Sequence, residues 1–345
     1  MLIVDFSHLA NRNLFTSVFN ARPKKKDGKY ITEDFIGMYM HQMFTSLKYL
    51  RRQFREDEIV LAIDSRMNWR KDVYPDYKSH RKKVRDESEI NFDEFFKYNA
   101  ELIQALRESF PYKVVEVDRA EADDVIFVLA EQYAKEKDVI VVTEDKDMKI
   151  VLSYGAKMYM PIKKEYVNMT PEELSLWVKT HICLGDDSDN IPHIMYNKKF
   201  SNEYRKFLDN KNITFDEYEY EIQPFKFRFD LEEEFDEWYL NKKGQKVEKK
   251  IYTKQRWGEK SAEKFAKNLA ENLSGESNEK ALLRVNFARN KQLIHPSGLP
   301  EIIKEQILNA YNSTDTSCNY NGMMQYLLKH SLTEHIGDIG SFVGR

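Results

Sequence analysis

Several acidic residues in this chain stand where apolar runs end. Asp5 closes Leu2-Ile-Val-Asp, Asp64 follows Leu61-Ala-Ile, and Asp145 and Asp147 follow Val139–Val142 in Thr143-Glu-Asp-Lys-Asp. Glu121 and Asp123 open a helical pattern in Glu121-Ala-Asp-Asp, and Asp186 and Asp189 lie in Gly185-Asp-Asp-Ser-Asp-Asn after another helix. In a parallel α/β sheet, ligands bind beyond the carboxyl ends of the strands, so acids carried there by separate strands converge on one edge. Each close carboxylate pair would cost roughly several kcal/mol at intermediate dielectric. Divalent cations remove that cost, and hard oxygen ligands select Mg²⁺, with Mn²⁺ able to substitute. Two such ions suit hydrolysis of a phosphodiester. Any one of these acids alone would read as a turn residue or helix cap. Asp124 reads as a helix N-terminal charge, Glu144 as a solvated residue, and Asp187 fits either role. The coincidence of four acidic clusters at strand ends and helix starts is what points to a metal site.

A second chemistry lies in Trp69–Arg85, which carries Arg70, Lys71, Lys78, Arg81, Lys82, Lys83 and Arg85 against Asp72 and Asp76. Trp69, Tyr74 and Tyr77 are interleaved with these cations. Charge that tracks phosphates and rings that stack on bases are the means by which single strands are held. The plain alternative is a solvated charged loop. The segment starts soon after Asp64, which favours the functional reading. A further basic run, Arg22-Pro-Lys-Lys-Lys, is placed in a loop after the first strand; it reads equally as a grip on a duplex backbone, through Lys24 and Lys25, and as a solvated charged loop.

The elements that must position these groups follow from periodicity. Leu2–Asp5, Glu58–Ile63, Lys113–Val117 and Asp138–Val142 are short Val/Ile-rich runs that predict buried parallel strands. Between them, Thr32–Arg55 places Ile36, Met40, Met43, Phe44, Leu47 and Leu50 on one helical face, and Phe92–Phe110 and Glu121–Lys135 show similar stripes. Alternating strands and helices predict an α/β domain with a parallel sheet. Later segments, Pro171–Leu184, Ser261–Leu273, Lys280–Leu293 and Pro300–Tyr311, predict helices. The expected organisation is an α/β core over 1–185, with a helical arch at about 69–100, and a mainly helical portion over 186–345. An acidic, aromatic block at 198–253 interrupts the second portion and is expected to fold as an insertion.

Composition narrows the class without deciding it. The 345 residues are 41% hydrophobic and 32% charged, with a net charge of −3 that hides alternating acidic and basic clusters. Met1–Phe6 reads as a strand from the start, with neither a basic leader nor a long apolar stretch, so the expected location is the cytoplasm, with no membrane partner. Cys183 and Cys318 match no zinc spacing.

The ordered motifs resemble one family. Val4-Asp-Phe-Ser, Ala62-Ile-Asp-Ser, Tyr77-Lys-Ser-His-Arg-Lys-Lys, Glu121-Ala-Asp-Asp, Thr143-Glu-Asp-Lys-Asp and Gly185-Asp-Asp-Ser-Asp-Asn occur in the order seen in flap endonucleases and phage 5′-3′ exonucleases, including the RNase H branch of T-even bacteriophages. The resemblance extends to Asn286-Phe-Ala-Arg-Asn and to the tail around Gln325-Tyr-Leu-Leu-Lys. It implies a PIN-like 5′-nuclease core and a 5′-3′ exonuclease and flap endonuclease that removes RNA primers in phage lagging-strand replication, in the host cytoplasm. It implies metal ligation by Asp5, Asp64, Glu121, Asp123, Asp145, Asp147, Asp186 and Asp189. Lys78 and Arg81 match cations that contact the scissile phosphate, and Tyr77 matches an aromatic that stacks near it. Lys82, Lys83 and Arg85 would add nucleic-acid contacts, as would Gly258 and Lys260. The last two belong to a modified helix-three-turn-helix whose halves are Asp189-Asn-Ile-Pro-His-Ile and Trp257-Gly-Glu-Lys-Ser-Ala. Expected partners are DNA and RNA–DNA duplexes with 5′ ends or flaps, a single-stranded-DNA-binding protein and a sliding clamp, met by a monomer.

Two rivals share parts of the pattern. A PIN-type ribonuclease has the acid-rich core but lacks the long helical portion. A non-catalytic branched-DNA-binding replication accessory would keep the fold, yet a complete set of clustered carboxylates is costly to retain without ions.

Overall fold

The apolar runs that end on acids form the middle of one sheet. In the computed structural model, which describes residues 1–195, 257–275 and 278–343, the strands are β1 (Leu2–Asp5), β2 (Lys25–Lys26), β3 (Lys29–Tyr30), β4 (Ile59–Ile63), β5 (Lys113–Glu116), β6 (Ile140–Val142), β7 (Lys157–Met160) and β8 (Glu165–Tyr166). The main sheet has the order β5-β4-β1-β6-β7-β8. Its pairings are parallel except for β8, which runs antiparallel to β7. The chain leaves β1 toward β4 and β5 on one side, then returns to build β6 and β7 on the other. This is a topological switch point, and β1 and its two neighbours flank it. β1 and β4 are wholly buried, as strands covered on both faces must be.

Contacts divide the chain into two compact units. The first comprises Met1–Asn68, His80–Thr170 and Leu299–Arg345, and the second comprises Trp69–Ser79 and Pro171–Gly298. In the first, helices α1 (Phe6–Ala21), α2 (Glu33–Phe54), α5 (Phe92–Ser109) and α6 (Ala122–Tyr133) pack about the sheet; the exposed helix α4 (His80–Glu87) also belongs to this unit, whereas α3 (Arg70–Val73), before it in the chain, belongs to the second. The six apolar residues of the α2 stripe are all buried. Helix α1 was not expected, because its buried face is Phe6, Leu9, Ala10, Asn13, Leu14 and Ser17. Two polar members disguise the stripe. Asn13 Nδ2 reaches Met43 Sδ at 3.0 Å and Ser46 Oγ at 3.3 Å, and Ser17 Oγ donates to Gln42 Oε1 at 2.8 Å, so both are satisfied against α2. The run Arg22-Pro-Lys-Lys-Lys therefore follows a helix and enters the β2–β3 hairpin, rather than lying in a loop after β1.

The second unit holds α3, α7 (Pro171–Leu184), α8 (Glu259–Lys267), α9 (Leu269–Leu273) and α10 (Asn278–Ile294). Cys183, Ile194, Ala262, Ala266 and Leu283 form its core, with Trp257 and Phe265 packed on them. The single helix expected over 261–273 is broken at Asn268, and Asn272 Nδ2 donates to Phe265 O at 3.0 Å across the break. The block 198–253 lies outside the described residues. Among the described residues no helix is long and apolar enough to cross a membrane.

The last described segment packs within the first unit. Helix α11 (Glu301–Ser313) lies on α6 and β5, and α12 (Tyr320–Lys329) lies on α5. After α13 (Thr333–Ile336), Phe342 meets Phe44 and Phe110 edge-on at 5.5 and 5.1 Å between ring centroids. His335 is buried beside Phe44, and its two ring nitrogens make no hydrogen bond. Burial first, then the charges of Lys48 and His41, push its pKa down to about 4. The unfolded imidazole takes its proton near pH 6.5, so the unfolded state binds more protons between about 6.5 and 4 and stability falls as pH falls through that window. In urea denaturation at pH 8 and pH 5, wild type should lose on the order of 1–2 kcal/mol more over this interval than His335→Gln does. Equal pH dependence in the two proteins would refute the assignment.

Candidate active site

Three strand ends of the first unit deliver carboxylates that share a network of small donors. Asp5 ends β1 and caps α1, with Oδ1 accepting from His8 N at 3.0 Å. Its Oδ2 accepts from Thr143 Oγ1 at 2.9 Å, and the residue is buried. Asp64, exposed just after β4, accepts from Ala122 N at 2.8 Å and from Ser7 Oγ at 2.5 Å. Asp145 caps the 3₁₀ segment Lys146–Tyr154, with Oδ1 accepting from Asp147 N at 2.9 Å. Its own N–H donates to Thr143 Oγ1 at 3.0 Å. Glu121 is the N-cap of α6 and forms a capping box with Asp124, while Asp123 sits in the first turn. The N-termini of α1 and α6 thus both face carboxylates, where helix dipoles and orphan amides favour negative charge.

The electrostatics of this edge show the crowding. Burial pushes the Asp5 carboxyl up, and Asp64 adds repulsion, against lowering by His8 and by hydrogen bonds from His8 and Thr143. His8 lies 3.4 Å from Asp145 Oδ2 through its Nε2. Its hydrogen bond to Asp145, with the charges of Asp5, Asp145 and Asp64, pushes its pKa up to about 9 despite desolvation. A histidine held protonated at neutral pH is what an excess of local negative charge produces. The donors are carboxylate oxygens, the hard set that suits Mg²⁺ or Mn²⁺. Ser7, His8 and Thr143 were absent from the sequence-based candidates. The signal for the first two was Asp5 as a helix cap, which would have put them in the first turn of α1.

The second unit holds Tyr77, Lys78, Asp186, Asp189, Gly258 and Lys260 among the expected residues. Gly185 turns the chain out of α7 at φ +72°, and a Cβ there would lie 2.4 Å from Ile191 O, so only glycine fits. Asp186 caps the short turn Asp187–Asp189 and accepts from Ser188 N at 2.7 Å. The motif Asn286-Phe-Ala-Arg-Asn explains itself here. Asn290 Nδ2 donates to Ile182 O and Pro192 O at 2.9 Å each, Arg289 Nη2 to Pro192 O at 3.0 Å, and Asn286 Nδ2 to Ile194 O at 2.8 Å. These bonds fix the loop that presents Asp186 and Asp189. Lys78 and Asp189 are paired, Nζ to Oδ2 at 3.5 Å, and Lys78 N donates to Asp189 O at 2.9 Å.

The aromatics of the basic segment need a correction. Tyr77 was expected to stack on a nucleotide, but it is 2% exposed, packs with Tyr74, Ile191 and Leu293, and donates to Asp189 Oδ2 at 2.7 Å. Trp69 and Tyr74 are also buried. These rings form the apolar side of Trp69–Ser79, because an isolated short segment needs such a side to hold its shape. The cations Arg81, Lys82, Lys83 and Arg85 are exposed on α4. Lys24 is exposed, whereas Lys25 is paired with Glu89 at 2.5 Å and lies 5.0 Å from the Tyr30 ring centroid. Gly258 caps α8 and Lys260 is exposed in its first turn.

Residues 1–178 match the family model for the 5′-3′ exonuclease N-terminal resolvase-like domain. The chain belongs to the 5′-3′ exonuclease family. Among curated relatives, Ribonuclease H of Enterobacteria phage T4 is 28% identical over 205 residues, 57% of this chain and 64% of that protein. Flap endonuclease Xni of Shewanella sp. (strain ANA-3) is 27% identical over 205 residues, 56% of this chain and 69% of that protein. The 5′-3′ exonuclease of Buchnera aphidicola subsp. Schizaphis graminum is matched over 65% of its length. The chain thus spans a little under two thirds of the T4 and Buchnera relatives. A solved bacteriophage T5 flap endonuclease, in a pseudo-enzyme–product complex with DNA and metal ions, aligns at 14% identity with a TM-score of 0.47, covering 90% of this chain and 99% of that one.

In this family member Thr143 joins two of the acids through one hydroxyl. Thr143→Val would leave a buried Asp5 oxygen short of a donor and the Asp145 amide short of an acceptor, at a cost of about 1–3 kcal/mol. Thr143→Ser keeps both bonds and should lose no more than about 1 kcal/mol, the burial of one methyl. Urea denaturation of the two variants tests this, and equal stability for Thr143→Val and wild type would show that the hydroxyl carries no such role.

Proposed function

We propose that this chain is a divalent-metal-dependent 5′-3′ exonuclease and flap endonuclease, hydrolysing RNA or DNA phosphodiesters near 5′ ends and removing RNA primers in phage lagging-strand replication. The observation that carries the reading is the convergence of Asp5, Asp64 and Asp145 at the switch point of the sheet, bridged by Thr143, His8 and the start of α6. Family membership supports the reaction class, and the names of the T4 and Buchnera relatives support the direction and the substrates.

In this reading Asp5, Asp64, Glu121, Asp123, Asp145 and Asp147 hold ions in the first unit, and Asp186 and Asp189 are ion ligands of the second. The charge excess at Asp5, Asp64 and Asp145 and their all-oxygen donor set fit Mg²⁺ or Mn²⁺. Such ions lower the pKa of water and neutralise charge on a phosphodiester. The chain's own residues do the rest. Ser7, Thr143 and the amides of His8 and Ala122 fix the carboxylate orientations, so that the acids place ions rather than act as general bases. Lys78 and Arg81 neutralise charge that develops on the phosphate, with Lys78 leaving Asp189 to do so. Lys82, Lys83 and Arg85 on α4, with Lys24, Gly258 and Lys260, contact the nucleic-acid backbone.

A 5′-labelled flap incubated with Mg²⁺, or with chelator instead, is the decisive assay. Cleavage is expected only with the ion. Asp123→Asn and Asp145→Asn should reduce it at least about a hundredfold while flap affinity stays within about tenfold, because phosphate contacts elsewhere carry most of the binding. Lys78→Ala or Arg81→Ala should slow single-turnover cleavage by about two orders of magnitude, as loss of a transition-state charge contact does. Lys82→Ala and Lys83→Ala should act on affinity and its salt dependence instead. Flap binding without cleavage in Mg²⁺ and in Mn²⁺ would mark a non-catalytic accessory and end the nuclease reading.

A further inference from the structure

Helix α4 carries four exposed cations, Arg81, Lys82, Lys83 and Arg85, and buries none of its eight residues. A helix this short is marginal in water, and here no apolar face supports it. What meets its C-terminal end is the β2–β3 hairpin. Lys29 Nζ donates to Asp86 O at 2.8 Å and also to Ser88 O, the kind of carbonyls a helix leaves unsatisfied. An ammonium there also opposes the negative end of the helix dipole. The adjoining backbone is fastened by the same hairpin, since Tyr30 N donates to Glu89 O at 2.7 Å and Lys25 pairs with the Glu89 side chain at 2.5 Å.

The hairpin is itself rigid. Asp27 and Gly28 have φ of +51° and +80°, the two-residue turn whose twist suits paired strands. At its base Ile31 N donates to Lys24 O at 2.8 Å, and Lys24 N donates to Asp34 Oδ2 at 2.9 Å in the first turn of α2. Beyond it, Thr32 Oγ1 donates to Glu94 Oε2 at 2.5 Å in the first turn of α5. The hairpin is therefore braced on two long buried helices, and it reaches α4 through Lys29.

We propose that Lys29 is a positioning residue that caps α4 and keeps its basic face ordered for the substrate backbone. Lys29 makes no contact with nucleic acid in this account. Beyond Lys24 at its base, the basic hairpin acts on the substrate by holding the helix that does the gripping. The functional half of the proposal rests on the nuclease reading, and the structural half does not.

The test uses the full chain. Trypsin cuts after Arg81, Lys82, Lys83 and Arg85 only when α4 opens, so its rate there reports the opened population. Lys29→Met keeps the stem and removes the ammonium, and it should speed these cuts about fivefold. Lys29→Arg can still donate to both carbonyls and should return the rate to within about twofold of wild type. Variants are compared where far-UV circular dichroism matches wild type. Glu89→Gln, which loosens the Lys25 side of the same joint, should move the rate in the same direction. On a labelled flap with Mg²⁺, Lys29→Met should raise the half-saturating substrate concentration by the factor by which the closed population falls and leave the saturating single-turnover rate within about twofold, because bound substrate restores the order that the cap supplied. Equal trypsin rates in wild type and Lys29→Met would overturn the proposal. So would failure of Lys29→Arg to rescue, or a fall in the saturating rate with half-saturation unchanged. If wild type cleaves no flap, the nuclease reading falls, and the trypsin comparison still decides whether Lys29 orders the helix.

Discussion

Mutual repulsion of carboxylates is the constraint around which the first unit is built. Asp5, Asp64 and Asp145 stand at the ends of adjacent strands, and nothing in an apolar sheet would gather them there for stability's sake. The fold spends its best local donors on them, namely two helix N-termini, two hydroxyls and the imidazole of His8. The strands behind them are correspondingly plain, buried Val, Ile and Leu that fix position without adding charge. The arrangement separates two jobs: the sheet sets where the acids are, and the small polar side chains set where they point.

The second unit answers a different demand. Its turn after α7 leaves backbone carbonyls facing inward, and a buried carbonyl without a donor costs free energy. Three side chains of α10 supply the donors, and Gly185 permits the close approach of the chain to itself. Asp189 then collects Tyr77, Lys78 and the backbone around them into one joint. A carboxylate proposed as an ion ligand is thus also the fastening point of the segment that carries a proposed phosphate contact. Replacement of Asp189 would disturb both at once, so its role cannot be read from a single substitution.

Much of this was legible in the sequence, and the gaps have physical causes. The strands β1, β4, β5 and β6 announce themselves by apolar runs that end on acids, and α2 by a pure apolar stripe. Helix α1 hid because Asn13 and Ser17 occupy core-facing positions that only partners on α2 make tolerable. The acids were visible as a pattern, but His8, Ser7 and Thr143 were not, since their importance lies in contacts with residues far away in sequence. Trp69, Tyr74 and Tyr77 misled in the opposite direction. Aromatics among cations read equally well as stacking platforms and as the buried side of a short segment, and burial decides between them. The tail was read as part of the helical portion because it is helical, whereas its partners are Phe44, Phe110 and α5.

That last placement bears on how the chain comes off the ribosome. Synthesis runs from the N-terminus, so the sheet, α2 and α5 emerge long before Tyr326, Leu327 and Phe342, which share their core. All of 171–298 is made in the interval. During that time the surfaces of α2 and α5 that will receive the tail are open, with Phe44 and Phe110 among them. The nascent protein therefore carries an uncovered apolar face until its last helices arrive and complete the core of the first unit.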